Sequence, residues 1–339
     1  MIASVQFRHF KALRAANIRL EAFNLVIGPN GSGKTSLVQA LLRLRALARG
    51  PASPPADNGA AAPRRPDAPE ILFRFPAPDE DITVHLGCRS EFVCDLLQVK
   101  HPDTDDARGR WEALRARLGG IRAFLFDHYS MAAPVAAAEG AELASNGHNL
   151  AAVLSTMRAE RPETFAQLET EFRRALPDYA GIETRVVGEG MLELGLRLAG
   201  GNEVITADNA SQGALYTLAV LTLSFALRPP TLLCLEEADR GVHPRLLREV
   251  RDALYRLSYP ASFGEKRPPV QIVATTHSPY LLDLFRDHPE EIVIAHKKGR
   301  SATFERLSER ADVREILAEG SLGDLWFSGI LGGVPEDEA

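Results

Sequence analysis

The chain has 339 residues, is 45% hydrophobic and 25% charged, and carries a formal net charge of −6. Such a composition permits a sizeable core, in one large domain or two modest ones. No apolar run approaches the ~20 residues of a membrane-spanning helix, and the acidic balance argues against a protein that coats nucleic acid.

The opening "MIASVQFRHF" lacks the basic-then-apolar pattern of a secretory signal, so a cytoplasmic protein is expected. The three cysteines agree with that expectation. Their number is odd and their spacing matches no zinc or disulfide pattern. Cys88 and Cys94 fall in strand-like stretches and read as packing residues; Cys234 lies in an apolar run and reads as core.

In chain order, "IASVQF", "AANIRL" and "FNLVI" read as short strands. "GPNGSGKTSLVQALLRLRAL" reads as loop then helix, with Leu37, Leu41, Leu44 and Leu47 at helical spacing. Residues 50–69 hold six prolines among Ala and Gly, and that composition predicts a flexible loop. "EILFRF", "DITVHL" and "EFVCDLLQV" then predict an antiparallel meander.

Residues 109–180 read mainly as helices, a helical insertion broken near Pro162, with Phe165, Leu168 and Phe172 on one face of the second helix. Arg115, Arg117 and Arg122, and Arg173 with Arg174, form basic clusters that fit a solvated face better than a phosphate-binding patch. "IETRVV", "MLELGLRL" and "NEVIT" return to strands. "SQGALYTLAVLTLSFAL" is apolar almost all round, which predicts a buried helix. "TLLCL" and "VQIVATT" are continuous apolar strands separated by the amphipathic "HPRLLREVRDALYRL". That is a βαβ unit in a buried parallel sheet. "LWFSGIL" near the end gathers Trp326, Phe327, Ile330 and Leu331, which either pack on their own domain or dock a partner.

Four stretches carry chemistry. "GPNGSGKT", Gly28 to Thr35, fits a phosphate-cradling loop and lies between a strand and a helix. Backbone N–H groups of Asn30, Gly31, Ser32 and Gly33 can curl around phosphate oxygens, and the following helix, with Ser36 in its first turn, points its positive end at the same anion. Lys34 places an ammonium on the β- and γ-phosphates, and the Thr35 hydroxyl can ligate Mg²⁺. Next, "TLLCL" delivers Glu236 and Glu237 to a strand end. Glu236 suits Mg²⁺, directly or through water, and Glu237 can orient the attacking water. Most such pairs read Asp then Glu; the extra methylene of Glu236 leaves the oxygen chemistry unchanged. "TTHSP" follows, and a neutral His277 there can hold water or sense a phosphate. Last, in "NASQGALYTL", Ser211 can cap a helix whose opening N–H groups, at Gln212 and Gly213, form a second anion site. An ordinary capped helix explains that stretch equally well on its own.

The order of these stretches resembles ABC-type ATPases, and more narrowly the standalone AAA-family ATPases related to RecF and the OLD nucleases. "FRHFKAL", "NLAAVLSTMRAERPETF", "EEADRGVHPRLL", "VATTHSPYLLDLF" and "SLGDLWFSGILGGVP" are similar to that family's blocks. The resemblance implies an α/β P-loop NTPase of ABC ATPase type over residues 1–339, a mixed sheet flanked by helices with an antiparallel β subdomain. It implies ATP and Mg²⁺ as ligands and a head-to-tail homodimer sandwiching two ATPs. Ser211 to Gly213 of one subunit would touch the γ-phosphate held by the other. Glu237 would be the catalytic carboxylate, His277 the switch histidine, and Asp239 part of the loop crossing the interface. The turn "ASQGA" departs from the Leu-Ser-Gly-Gly of transporters, which argues against membrane transport. Gln98 is the candidate for the Q-loop glutamine. With no nuclease domain expected, any cutting of nucleic acid falls to a separate effector protein.

Three functions fit these residues: an ATP-hydrolysing dimer that drives or licenses a partner, in phage defence or DNA maintenance; a nucleotide-gated binding module with negligible hydrolysis by itself; and a P-loop kinase. The kinase is weakest, because it has no need of the Ser-Gln-Gly turn or the Thr-Thr-His end.

Overall fold

Alternation at the N-terminus builds the first sheet. In β1 (Ser4–Phe10), Val5, Phe7 and Phe10 are buried while Gln6, Arg8 and His9 face out. β1 pairs antiparallel with β2 (Leu13–Arg19) and with β4 (Glu70–Arg74). β5 (Thr83–Ser90) and β6 (Val93–Lys100) complete a five-stranded sheet ordered β2-β1-β4-β5-β6. The β4–β6 meander is antiparallel, as its alternation predicts. This computed structural model describes residues 1–50, 67–139 and 142–332. Most of the proline-rich stretch read as a flexible loop lies outside the described residues.

Cys88 and Cys94 correct the expectation from spacing. They face each other across the β5–β6 hairpin and are joined in a disulfide. The register of the hairpin, which spacing does not report, brings the two sulfurs together. Cys234 is free and buried, as read.

A second sheet carries the phosphate-loop candidate. Its six strands are ordered β15 (Ser301–Arg306), β14 (Ile292–Lys298), β3 (Phe23–Ile27), β13 (Gln271–Thr276), β12 (Leu232–Leu235) and β7 (Ile121–Phe124). β13 and β14 run parallel to β3 on its two sides. Every residue of β3, β12 and β13 is buried, which is why these strands read as unbroken apolar runs. β15 pairs antiparallel with β14. On α1 (Lys34–Arg49), Leu37, Leu41 and Leu44 are fully buried, each contributing roughly 1.5–3 kcal/mol.

Two compact units emerge: Met1–Ala123 with Pro230–Cys234 and Pro269–Ala339, and Phe124–Pro229 with Leu235–Pro268. The first holds the five-stranded sheet and α1. It also holds α2 (Asp105–Leu118), whose Thr104 hydroxyl accepts from the Ala107 N–H as a cap. The basic cluster of α2 is spent on its own chain. Arg115 donates to the carbonyls of Ala48 and Gly50, and Arg117 pairs with Asp79.

The second unit contains α3 (His128–Ala132), β8 (Val135–Ala136), α4 (Leu150–Glu160), α5 (Pro162–Ala175), β9 (Tyr179–Val187), β10 (Met191–Leu198) and β11 (Val204–Thr206). Its sheet runs β11-β10-β8, with β9 also on β10. Pro162 opens α5, and Phe165, Leu168 and Phe172 form its buried face. Arg174 is bound to Glu171 and Glu249. The all-apolar stretch is α6 (Gln212–Ser224), buried from Gly213 onward. α7 (Leu247–Ser258) shows the amphipathic face expected of it.

The first unit closes with α8 (Pro279–Asp283), α9 (Val313–Glu319) and α10 (Leu322–Phe327). There the Gly323 N–H donates to the Asp283 carboxylate at 2.8 Å. The "LWFSGIL" cluster divides: Trp326 and Leu331 are buried, while Phe327 and Ile330 are 84% and 50% exposed. Gln98, the Q-loop candidate, lies within β6, where it pairs with His85 of β5.

Candidate functional site

The predicted phosphate loop leaves β3 at Ile27 and enters α1 at Lys34. Gly33 occupies the N-cap with φ 89°, a left-handed conformation that favours glycine. A Cβ there would come 2.6 Å from Cδ2 of the buried Leu13. At Gly28 a Cβ would lie 2.5 Å from the Ala295 backbone oxygen and 2.6 Å from Ser32 Oγ. A backbone neighbour cannot rotate away, so Gly28→Ala is expected to cost about 1–3 kcal/mol. Thermal unfolding of the variant beside the wild type measures it.

Within the loop, Asn30, Gly31 and Thr35 are exposed, Ser36 is half-buried, and Ser32, Gly33 and Lys34 are buried. Lys34 is 8% exposed, and its ammonium donates to the carbonyls of Gly28 at 2.7 Å and Pro29 at 3.0 Å. Burial of a cation is costly unless it is paired, so these bonds hold Lys34 over the loop. Ser32 Oγ is buried and finds no hydrogen-bond partner among the described residues.

His277 joins this loop through sheet register. β13 lies beside β3 with Thr276 opposite Ile27. Because the strands are parallel, Gly28 and His277 are the next residues to leave the same end of the sheet. His277 is exposed there. On the other side, Lys297 of β14 brings its ammonium to 3.4 Å from where a Gly31 Cβ would sit. Sequence reasoning missed Lys297, because it missed the β14–β15 hairpin. Gly299 in its turn, at φ 55°, was the available signal.

The acids and the Ser-Gln-Gly turn meet in the second unit. β12 ends at Leu235 and Glu236 follows, half-buried, its N–H donating to the Phe124 carbonyl at 2.9 Å. Glu237 is exposed and has φ 51°. For a residue with a Cβ that conformation costs roughly 1–2 kcal/mol, and such strain gathers at functional sites. The Glu237 carboxylate lies 3.5 Å from Arg240, an exposed pair that contributes little to stability. Its carbonyl accepts from the Arg240 N–H at 2.8 Å and from the Tyr216 hydroxyl at 3.2 Å. Tyr216 is buried on α6; desolvation first, then the charges of Asp239 and Glu237, hold its phenol neutral by raising its pKa. Nearby, Asp127 is held below the usual carboxylate range, chiefly by the Ser130 N–H it accepts.

Ser211 caps α6 as predicted, accepting from the Ala214 N–H at 3.2 Å. Ser211 and Gln212 are exposed and Gly213 is buried. The turn rests on the segment after the acids. A Cβ on Gly241 would fall 2.3 Å from Gln212 Cδ, and one on Gly213 would fall 3.1 Å from the Gly241 oxygen. The structure therefore gathers the predicted residues into two groups. The loop and His277 form one; the acids and the Ser-Gln-Gly turn form the other.

The residues fit a polyphosphate. A cradle without room for a Cβ at Gly28 and Gly33, a buried hydroxyl with no partner among the described residues and a buried ammonium at a helix N-terminus suit an anion. Thr35 and Glu236 each carry an oxygen donor of the kind Mg²⁺ takes, and Mg²⁺ keeps several waters and needs few protein ligands. Among the described residues there is no group of three or more His, Cys, Asp or Glu side chains placed to hold a metal ion. No helix among them is long and apolar enough to cross a membrane.

Comparison with known proteins bears on the fold and the family. No curated protein matches the chain. Among solved structures it is similar to an SMC head bound to the C-terminal winged-helix domain of ScpA, with 13% identity, 90% of this chain and 96% of that one covered, and a TM-score of 0.58. A similar likeness holds for an SMC head with an extended coiled coil bound to the C-terminal domain of ScpA from Pyrococcus furiosus (13% identity, 94% and 99% covered, TM-score 0.55). The SMC head domain from Thermotoga maritima gives 13% identity, 90% and 98% covered, and a TM-score of 0.50. At such identity the likeness shows the fold alone, that of P-loop ATPase heads. Residues 23–283 match the family described as "AAA domain, putative AbiEii toxin, Type IV TA system". The chain belongs to that family and is an ABC-like AAA ATPase by fold and membership.

Proposed function

We propose that the chain binds Mg-ATP, closes into a head-to-tail homodimer around it, and hydrolyses it to drive or license a separate effector protein, in phage defence or DNA maintenance. The observation that carries the reading is one loop that holds a buried Lys34 ammonium and a buried Ser32 hydroxyl with no hydrogen-bond partner among the described residues, and that has no room for a Cβ at Gly28 or Gly33. Asn30 to Ser36 present N–H groups and hydroxyls to the phosphates, and Lys34 supplies charge. Thr35 and Glu236 would hold Mg²⁺, which would neutralise charge on the phosphate oxygens. Glu237 orients the attacking water and accepts its proton. His277 monitors the phosphate from the loop's side. Ser211 to Gly213, the first two exposed, offer a helix N-terminus to the partner's nucleotide.

A separate effector is in keeping with the similar SMC heads, two of which are bound to ScpA domains. A nucleic-acid ligand gains no support from the net charge of −6 or from basic clusters bound to their own chain. Light scattering on Glu237→Gln with saturating Mg-ATP is expected to give a dimer, and the same variant carrying Ser211→Arg a monomer. A Glu237→Gln chain that stays monomeric in ATP sinks the dimer.

A further inference from the structure

One contact ties the Ser-Gln-Gly helix to the second acid. Glu237 keeps a left-handed backbone with no glycine to ease it. Two donors meet at its carbonyl oxygen: the Arg240 N–H, which closes the 237–240 turn, and the phenol of Tyr216. Tyr216 lies one helical turn beyond the cap Ser211, on a helix buried on every side. Phe126 meets its ring edge to face at 5.5 Å, so the aromatic ring is fixed independently of the hydroxyl. Below it, Gln212 and Gly213 pack on Gly241, the residue after that turn. α6 thus packs on the segment that follows the acid turn, and its Tyr216 hydroxyl donates to the strained residue itself.

We infer that Tyr216 is a positioning residue for Glu237: its hydroxyl, donated to the Glu237 carbonyl, locks the acid's backbone to the helix that the Ser-Gln-Gly turn opens. The role rests on the reading of Glu237 as the carboxylate that serves hydrolysis. An anion that orders Ser211–Gly213 then also orders Glu237, because one rigid helix carries both contacts. Phenylalanine keeps the ring and its packing and removes only the donor.

The test is Tyr216→Phe in the full-length chain. Phosphate release at saturating Mg-ATP is expected to fall about five- to tenfold, with KM for ATP unchanged, since the loop is untouched. In hydrogen exchange without nucleotide, the amides of residues 238–241 are expected to exchange faster in the variant, while those of α6 do not change. A merely structural hydroxyl would lower the melting temperature and leave turnover per folded molecule and the turn amides as they were; that result overturns the inference, as does loss of folding in the variant. Were the wild type to release no phosphate, the proposed hydrolysis would fail. Exchange at 238–241 would still decide, with unchanged rates overturning the role of Tyr216.

Discussion

Phosphate release from Mg-ATP is expected to fall at least about a hundredfold in Glu237→Gln, with affinity for ATP unchanged. Glutamine matches glutamate in size and preserves the turn, whose bonds come from the backbone and from Tyr216. It can hold a water but cannot take its proton. Because Glu237 is exposed and set at a strained φ of 51°, its carboxylate is aimed by the turn rather than by burial. The loss should appear in kcat alone, since ground-state contacts to the phosphates belong to the loop around Lys34. Steady-state phosphate release by both proteins at equal concentration measures it. Equal, appreciable release would remove Glu237 from the chemistry. Near-zero release from both would make the isolated chain a nucleotide-gated module that waits for its partner.

Much of this arrangement was legible in the sequence because it follows from local rules. Strand β3, the loop and α1 are contiguous, and glycine chemistry plus helical leucine spacing fixes them without knowledge of distant residues. The same holds for Ser211 as a cap and for α6 as a buried helix, where apolarity on every side leaves no surface face. What escaped depends on pairing. Lys297 reaches the loop only because β14 lies parallel to β3, with Ile294 opposite Ile27, a register that no local pattern encodes. The Cys88–Cys94 bond likewise depends on hairpin register. The Tyr216 contact joins residues 21 apart in sequence, and in the sequence that tyrosine looks like one more apolar residue of a buried helix. The βαβ order of strand, acids, helix and strand was readable. The left-handed turn at Glu237 was not, because glutamate gives no signal for positive φ.

Lys34→Met is expected to raise the dissociation constant for ATP by roughly 30-fold or more. Methionine keeps the length and flexibility of the stem but carries no charge. In the wild type the ammonium is buried and shares two loop carbonyls, so it meets a phosphate with little water to displace and little freedom to lose. Its removal has two effects of opposite kind. The Gly28 and Pro29 carbonyls lose their donor, which destabilises the loop by about 1 kcal/mol for each bond. A buried cation disappears as well, which relieves a desolvation cost. These changes offset each other, so the melting temperature without nucleotide should move little while the rise on adding Mg-ATP shrinks. Calorimetric titration with ATP, beside thermal melts with and without it, separates the two. A large fall in the nucleotide-free melting temperature with affinity retained would make Lys34 a strut of the loop. The anion would then be held by the backbone N–H groups and Lys297, and the buried ammonium would no longer carry the reading of this site.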